Sequence, residues 1–430
     1  MTSAANRYGA LGARDLIVWA VAALVMLAAP LVFSSSLAVT MLSQIGIAIV
    51  ACLSFNMLLG QGGMLSFGHA VYSGLGSFVA IHALKAVAGG TLPLPVSLIP
   101  LVGGVAGLLF AVLLGYVTTK KSGTTFAMIT LGIGELVFAM SLMIPEFFGG
   151  EAGVAANRVV GKAVLGITFG PQVQVYYLLA LYTLVCTALM YAFTRTPLGR
   201  MLNAVRDNPE RVEFTGYNTQ RVRYFSFIIA GFFAGVAGGM YALNFEIATA
   251  EVVGTARSGA YLLFTFLGGA TFFFGPIIGA VLMVVAIVLL SDFTKAWLLY
   301  LGLVFLLMVM FAPGGIASLV MMNLRVAKFG KLSGLFGSYA ALAVTGLLAF
   351  CGVAAMIEMV YHLQLNDALG PVLNFMGVSL NAKSASSWLG ALALALVGGG
   401  LFFQVRRRFA QRWSEVQGEI EAALRTREAA

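Results

Sequence analysis

Stretches of about 20 consecutive apolar residues recur along this 430-residue chain, and they limit what it can become. A helix of that length spans the roughly 30 Å hydrocarbon core of a bilayer. Lipid offers the backbone no hydrogen-bond partner, so a spanning segment must be a helix or part of a closed barrel. Barrel strands alternate polar and apolar residues over about ten positions, whereas the runs here are continuous. The chain is therefore read as an all-α polytopic membrane protein with about 10–12 membrane segments. Composition agrees: 60% of residues are hydrophobic, 10% are charged, and the mean hydropathy is +0.97. The 51 glycines fit as well, because small residues let bilayer helices approach closely.

The runs place helices near 16–34, 37–59, 65–84, 96–117, 124–144, 174–194, 224–245, 296–312, 337–361 and 386–404. Residues 259–291 are too long for one helix and short for two. "GGATFFFGP" interrupts them, so two short crossings and a re-entrant hairpin both fit. Arg7 and Arg14 before an apolar stretch imitate a signal peptide, but a second run follows at once and the first is expected to be retained. Basic clusters lie at Arg7/Arg14, Lys120/Lys121, Arg195–Arg223, Arg325/Lys328/Lys331 and Arg406–Arg408. With the N-terminus inside, all of them fall on the cytoplasmic side, and both termini are then cytoplasmic. Cys52, Cys186 and Cys351 all sit in apolar runs without paired spacing, which argues for core filling against disulfides or a metal site.

The inside loop "TPLGRMLNAVRDNPERVEFTGYNTQRVR" is far more polar than its surroundings. Pro197 opens a helix carrying Gly199, Arg200, Arg206 and Asp207. Asn208-Pro209 is an N-cap followed by proline at the first helical position, for a second helix carrying Glu210 and Glu213 that Gly216 stops. A basic loop that only fixed topology would need no such punctuation. Two capped helices are expected to form a docking surface for a cytoplasmic partner.

The chain holds no G-x-x-x-x-G-K-[ST], H-E-x-x-H or G-x-S-x-G, no Cys/His cluster and only three histidines. It is therefore expected not to be an enzyme. No cofactor is expected in this chain, and any ATP and Mg would be bound by separate ATPase subunits. Two constellations are substrate-pathway candidates. "GQGGMLSFGHAVYSGLG" contains Gly63, Ser66, Gly68 and His69. Gly-rich backbone at membrane depth is tolerated where protein or a cavity surrounds it, and its free N–H groups can hold a carboxylate. Glu135, inside the fifth helix, is an intramembrane acid and a functional candidate by default, for a cation, a proton or a partner such as His69. Against these stands a plain structural role for each, as hydrogen-bonding groups between helices. Gly231, Gly235 and Gly239, four apart, read as a packing stripe. "FLGGATFFFGP" faintly echoes "QGGMLSFGH", as an internal duplication would. Trp413, Val416, Ile420 and Leu424 follow helical spacing on a charged segment, which reads as an amphipathic helix lying on lipid or a partner.

"GGMLSFGHAVYSGLG", "FAMITLGIGELVF", "TPLGRMLNAVRDNPERVEFTGYN", "GFFAGVAGGMYA", "FLGG" and "FAPGGIASL" together, in this order over about residues 37–320, resemble branched-chain amino acid ABC importer permeases of the LivM branch. The resemblance implies a bacterial inner-membrane subunit that pairs with a second, related permease. Two cytoplasmic ATPase subunits would dock inside and a periplasmic binding protein would deliver solute outside, with membrane lipid around and no nucleic acid. Glu213-x-x-Gly216 stands where such permeases meet their ATPases. Met64 replaces the usual Gln, and "GGEAG" at 149–153 replaces the usual Gly-Gly-Pro-Asn-Gly. Branched-chain amino acids are the leading cargo, and urea, short amides and aromatic carboxylates stay open. The organisation expected is a permease domain over 1–320, an extension with two further helices over 321–405, and the amphipathic helix over 406–430. The rival class is an ion-coupled secondary transporter, for which the Gly-rich breaks and Glu135 would serve but the capped loop would have no task.

Overall fold

A computed structural model describes residues 13–160, 168–365, 370–375 and 377–429. Arg7 and Lys162 lie outside the described residues, as do the side chains of Arg14 and Leu424. The helices are α1 (Ala13–Val32), α2 (Ser36–Gly62), α3 (His69–Ala88), α4 (Ile99–Thr118), α5 (Gly123–Met143), α6 (Pro145–Phe148), α7 (Gln172–Arg195), α8 (Pro197–Asp207), α9 (Pro209–Phe214), α10 (Thr219–Phe245), α11 (Thr255–Gly268), α12 (Gly275–Val285), α13 (Ser291–Phe293), α14 (Trp297–Phe311), α15 (Gly315–Lys328), α16 (Phe336–Leu365) and α17 (Ala385–Ala429). Nine helices among the described residues are long and apolar enough to cross a membrane. The pair α14 and α15 makes a tenth if taken as one bent span. The protein is an all-α polytopic membrane protein, with two short antiparallel strand pairs: β1 (Val154–Ala155) with β2 (Ile247–Ala248), and β3 (Val372–Phe375) with β4 (Val378–Asn381).

By contacts the chain divides into two compact units, Met1–Leu289 with Met308–Ala317, and Leu290–Leu307 with Ser318–Ala430. The first is built around α10, whose 27 residues pack on α2, α3 and α4. The four-residue glycine spacing explains why. A Cβ on Gly235 would stand 2.3 Å from the Gly103 carbonyl oxygen of α4, and one on Gly238 only 1.8 Å from the Ser73 carbonyl oxygen of α3. Backbones meet there with no room for side chains, the arrangement that small-residue stripes allow in lipid, where burial of apolar surface gives helices no reason to associate.

Residues 259–291 resolve into a hairpin. Gly268 faces Gly275 and Gly279 faces Phe264, so α11 and α12 run antiparallel about a turn at Gly269–Phe274. With 14 residues α11 is about 21 Å long, short of a full crossing. The third helix begins at His69, four residues later than its apolar run. Gly63 caps α2 at φ +63°, and the backbone has no regular structure from there to Gly68.

In the second unit α16 and α17 lie antiparallel, Gly352 against Ala391 and Gly398 against Ala349, joined through the β3–β4 hairpin. α17 continues through the charged segment without a break. Trp413, Val416 and Ile420 pack on Val326, Phe329, Leu335 and Tyr339, so this chain itself covers the face expected to lie on lipid or a partner.

Candidate functional site

One end of the first unit carries the loop between α7 and α10. Thr196 Oγ1 accepts the Gly199 N–H at 3.2 Å and Pro197 occupies the first turn of α8. Asn208 Oδ1 accepts the Arg211 N–H at 2.9 Å and caps α9. Gly216, at φ +87°, turns the chain, and Asn218 caps α10. The two expected helices are therefore present. Gly199, Leu202 and Val205 turn α8 inward, while Arg200, Asp207 and Glu210 are exposed. Glu213 Oε1 accepts from Thr219 Oγ1 at 2.7 Å, which latches α9 to the first turn of α10. At the tip stands Phe214, 90% exposed, with half-exposed Tyr217 beside it. An aromatic ring so bare on a polar loop is a candidate contact for another protein, and no local sequence pattern marks it.

The inner side of α8 meets the Gly-rich stretch. Arg206 pairs with Asp207 at 2.9 Å and donates to the Gly60 carbonyl. A Cβ on Gly63 would lie 2.9 Å from Arg206 Cγ, and one on Gly62 lies 3.1 Å from Leu202 Cδ1. The loop is thus in direct contact with the segment that leads to His69.

His69 is fully buried, and its Nε2 is 2.9 Å from Ser54 Oγ on α2. Ser54 Oγ donates its own proton to the Ala51 carbonyl at 2.7 Å, so the imidazole Nε2–H is the donor and Nδ1 is left as an acceptor. Nδ1 has no partner, and neither have Ser66 Oγ, Gln61 Oε1 and Asn56 Oδ1, all buried. Unpaired buried polar atoms are uncommon, and four of them lie within residues 56–69. Several of the backbone donors expected to form an anion cradle are already bonded. The Phe67 N–H goes to Thr130 Oγ1 at 3.1 Å, Ala70 to Ser258 Oγ at 3.0 Å, and Val71 to the Gly68 carbonyl at 3.2 Å. A Cβ on Gly68 would lie 2.2 Å from the Thr130 carbonyl oxygen, so α5 presses directly on the start of α3.

Glu135 takes a different partner from His69. It is exposed on α5 and accepts a hydrogen bond from Thr255 Oγ1, at the first residue of α11. Between the two lie Gly68 and Gly134, and a Cβ on Gly134 would stand 3.7 Å from both Gly68 Cα and Thr255 Oγ1. The starts of α3 and α11 therefore converge on the middle of α5.

At the opposite end the loop after α5 folds onto β2. Arg158, 8% exposed, is its anchor: its backbone N–H donates to Glu246 Oε1 at 2.7 Å. Its guanidinium donates to the carbonyls of Phe169, Leu243, Asn244 and Gly170 and to Gln172. Among the described residues of that loop, Glu146 and Glu151 are the exposed charges. Basic residues Lys120, Lys121, Arg200, Arg206, Arg211 and Arg221 mark the α8–α9 end. The other end holds Glu146, Glu151, Glu246 and Glu251 beside Lys85 and Arg158.

A family model described as "Branched-chain amino acid transport system / permease component" matches residues 37–313. The high-affinity branched-chain amino acid transport permease LivM of Salmonella typhimurium is 27% identical over 309 residues, 67% of this chain and 71% of that protein. A probable branched-chain amino acid transport permease LivH of Methanocaldococcus jannaschii is 26% identical over 256 residues, 57% and 79% of the two chains. The fructose import permease FrcC of Rhizobium meliloti is 26% identical over 202 residues, 41% and 53%. No solved structure matches the chain at a significant level.

Proposed function

The chain belongs to the branched-chain amino acid transport system permease family, and from that premise we propose that it is the membrane subunit of an ATP-driven importer for a small solute, branched-chain amino acids being the leading cargo. It is a multi-pass membrane protein and an ABC permease subunit. In the proposed assembly it pairs with a second permease. Two ATPases grip the α8–α9 loop from the cytoplasm, and a binding protein delivers solute at the Glu146/Glu151 end. The basic residues of the loop end support that orientation.

The observation that carries this reading is the two-sided contact of α8: its outer side leads to bare Phe214, and its inner side holds Gly60 through Arg206 and Gly62 through Leu202. An ATPase that displaces Phe214 and Tyr217 moves α8 as a unit. The pull reaches residues 60–69, where the buried Ser66 and His69 carry unpaired polar atoms that would meet solute once the packing there opens. Such a loop biases a two-state membrane domain only if its contacts differ between the states, and the irregular backbone from Gly63 to Gly68 is where such a difference would be taken up. Glu135 faces outward from α5 in this scheme and is covered by the second permease, because an acid left in lipid costs about 3 kcal/mol.

The contact is tested with Phe214→Cys in the complete assembly. A disulfide or short cross-link to an ATPase cysteine is the expected result. Full labelling of that cysteine by a water-soluble thiol reagent in the assembled complex would remove the coupling assignment.

A further inference from the structure

The first unit contains a second polar centre. Arg257 sits on the first turn of α11, a helix whose next eleven residues run to Gly268 with no other charge. Its guanidinium lies 4.9 Å from the Tyr241 ring centroid. Among the described residues no carboxylate comes within ion-pair distance of it. A charge within a membrane bundle is costly and marks a functional position.

Arg257 faces a cavity of about 320 Å³, which Tyr241, Tyr261 and the Gln44 amide also line. That is near the lower bound of about 300 Å³ for pockets that hold small molecules. Its lining also has an apolar part that includes Ile47, Met283 and Val284. Behind the arginine a recess of about 10 Å³ shares Arg257, Tyr241 and Tyr261 with the cavity. Its wall includes Ser77, 1% exposed, whose Oγ has no hydrogen-bond partner. A cation and two phenols thus meet in the cavity, with an unpaired hydroxyl in the recess beside them, and among the described residues no acid lines the cavity. Tyr241 and Phe245 place it in the last turns of α10, at the end away from the α8–α9 loop. A larger groove of about 810 Å³ along α4 is lined, among the described residues, by apolar side chains such as Leu101, Leu109 and Leu113, which have nothing to orient a polar solute.

We propose that this cavity binds the carboxylate group of a small apolar carboxylic acid, with Arg257 holding the carboxylate and the Ile47–Met283–Val284 wall taking the branched or aromatic side chain. Arginine presents a fork of donors that matches the two carboxylate oxygens. The carboxylate can belong to an amino acid or to a plain monocarboxylate. The proposal rests on the transport reading for its role as cargo recognition, not for the binding itself.

The test uses the full chain in phosphatidylcholine nanodiscs, without nucleotide or ATPase. Phenylglyoxal modification of Arg257 is followed by peptide mass spectrometry in the presence of leucine, 4-methyl-2-oxopentanoate or neutral 4-methylpentanamide. At least one of the two carboxylates should slow modification about tenfold at about ten times its Kd, as occupancy requires, while the amide does not. Which carboxylate protects identifies the source. Labelling of Met283→Cys should likewise be protected by that carboxylate, and R257Q should abolish the protection. Equal protection by the amide overturns the proposal. So does no protection by either acid, or protection by added anionic lipid that neither acid displaces. Because the readout involves no ATP, its failure leaves the ATPase-driven reading standing, and failure of that reading leaves this binding result intact.

Discussion

At the scale of single residues, burial decides roles that charge alone misassigns. Arg158 lies in the same loop as the exposed Glu146 and Glu151, and charge alone would make it one more surface residue. In the fold it donates to the Phe169 and Gly170 carbonyls at the far end of its loop and to the Leu243 and Asn244 carbonyls at the end of α10. Those acceptors lie up to 86 positions away, so no local pattern could reveal them. Removing one partner of a buried charged network costs about 3–5 kcal/mol. Arg158→Ala is therefore expected to release β1–β2, seen as lost hydrogen-exchange protection over 154–160 with α2 and α3 unaffected. Unchanged protection would return Arg158 to an ordinary surface charge. The glycines divide in the same way. Gly238→Ala places a methyl 1.8 Å from a backbone oxygen and should destabilise by about 1–3 kcal/mol or more, whereas Gly132→Ala meets nothing within 4 Å and should be silent. A thermal-unfolding comparison in detergent separates them, and equal midpoints would contradict the packing described. The stripe itself was legible because a four-residue spacing is a local signal. His69, offered as one partner for Glu135, bonds Ser54 and leaves Glu135 to Thr255, although Gly68 and Gly134 pack together beside them, because partner choice depends on how α2, α5 and α11 pack.

At the scale of elements, capping chemistry carried most of the information. Thr196, Pro197, Asn208, Pro209 and Gly216 place both loop helices without tertiary knowledge, since each acts on its own backbone. Exposure of Phe214 and the hidden position of Arg257 at the head of a helix were not legible, because both follow from where neighbouring helices stop. The 386–404 helix runs on to Ala429, since no proline interrupts the Arg-, Glu- and Ala-rich segment that follows. Two changes probe the loop. Gly216→Val forces a β-branched residue to φ +87° and should cost about 1–2 kcal/mol. Its effect should be a shifted α9, reported by a fluorophore at position 210. Phe214→Ala removes an exposed ring and should leave thermal stability unchanged while ATPase subunits no longer co-purify. A stable complex with Phe214→Ala would mean the tip is not the grip.

At the scale of the whole molecule, the apolar runs made the all-α membrane fold legible from the outset, and the motif order over residues 37–320 matches the family region found at 37–313. The division of the chain differs from a simple cut near residue 320, because Leu290–Leu307 contacts the C-terminal unit while Met308–Ala317 contacts the first. The hydrogen bonds of Thr294 and Tyr300 to Glu358 account for part of that exchange. The central claim is that solute moves through this chain only when ATPases drive its cytoplasmic loop. The direct measurement is uptake into proteoliposomes containing the chain with its partner permease, with and without ATPase subunits, in the presence of binding protein. Uptake that requires both the ATPases and ATP, and is lost in Phe214→Ala vesicles of unchanged protein content, is the predicted result. Uptake without ATPases, powered by an imposed proton or sodium gradient, would contradict it.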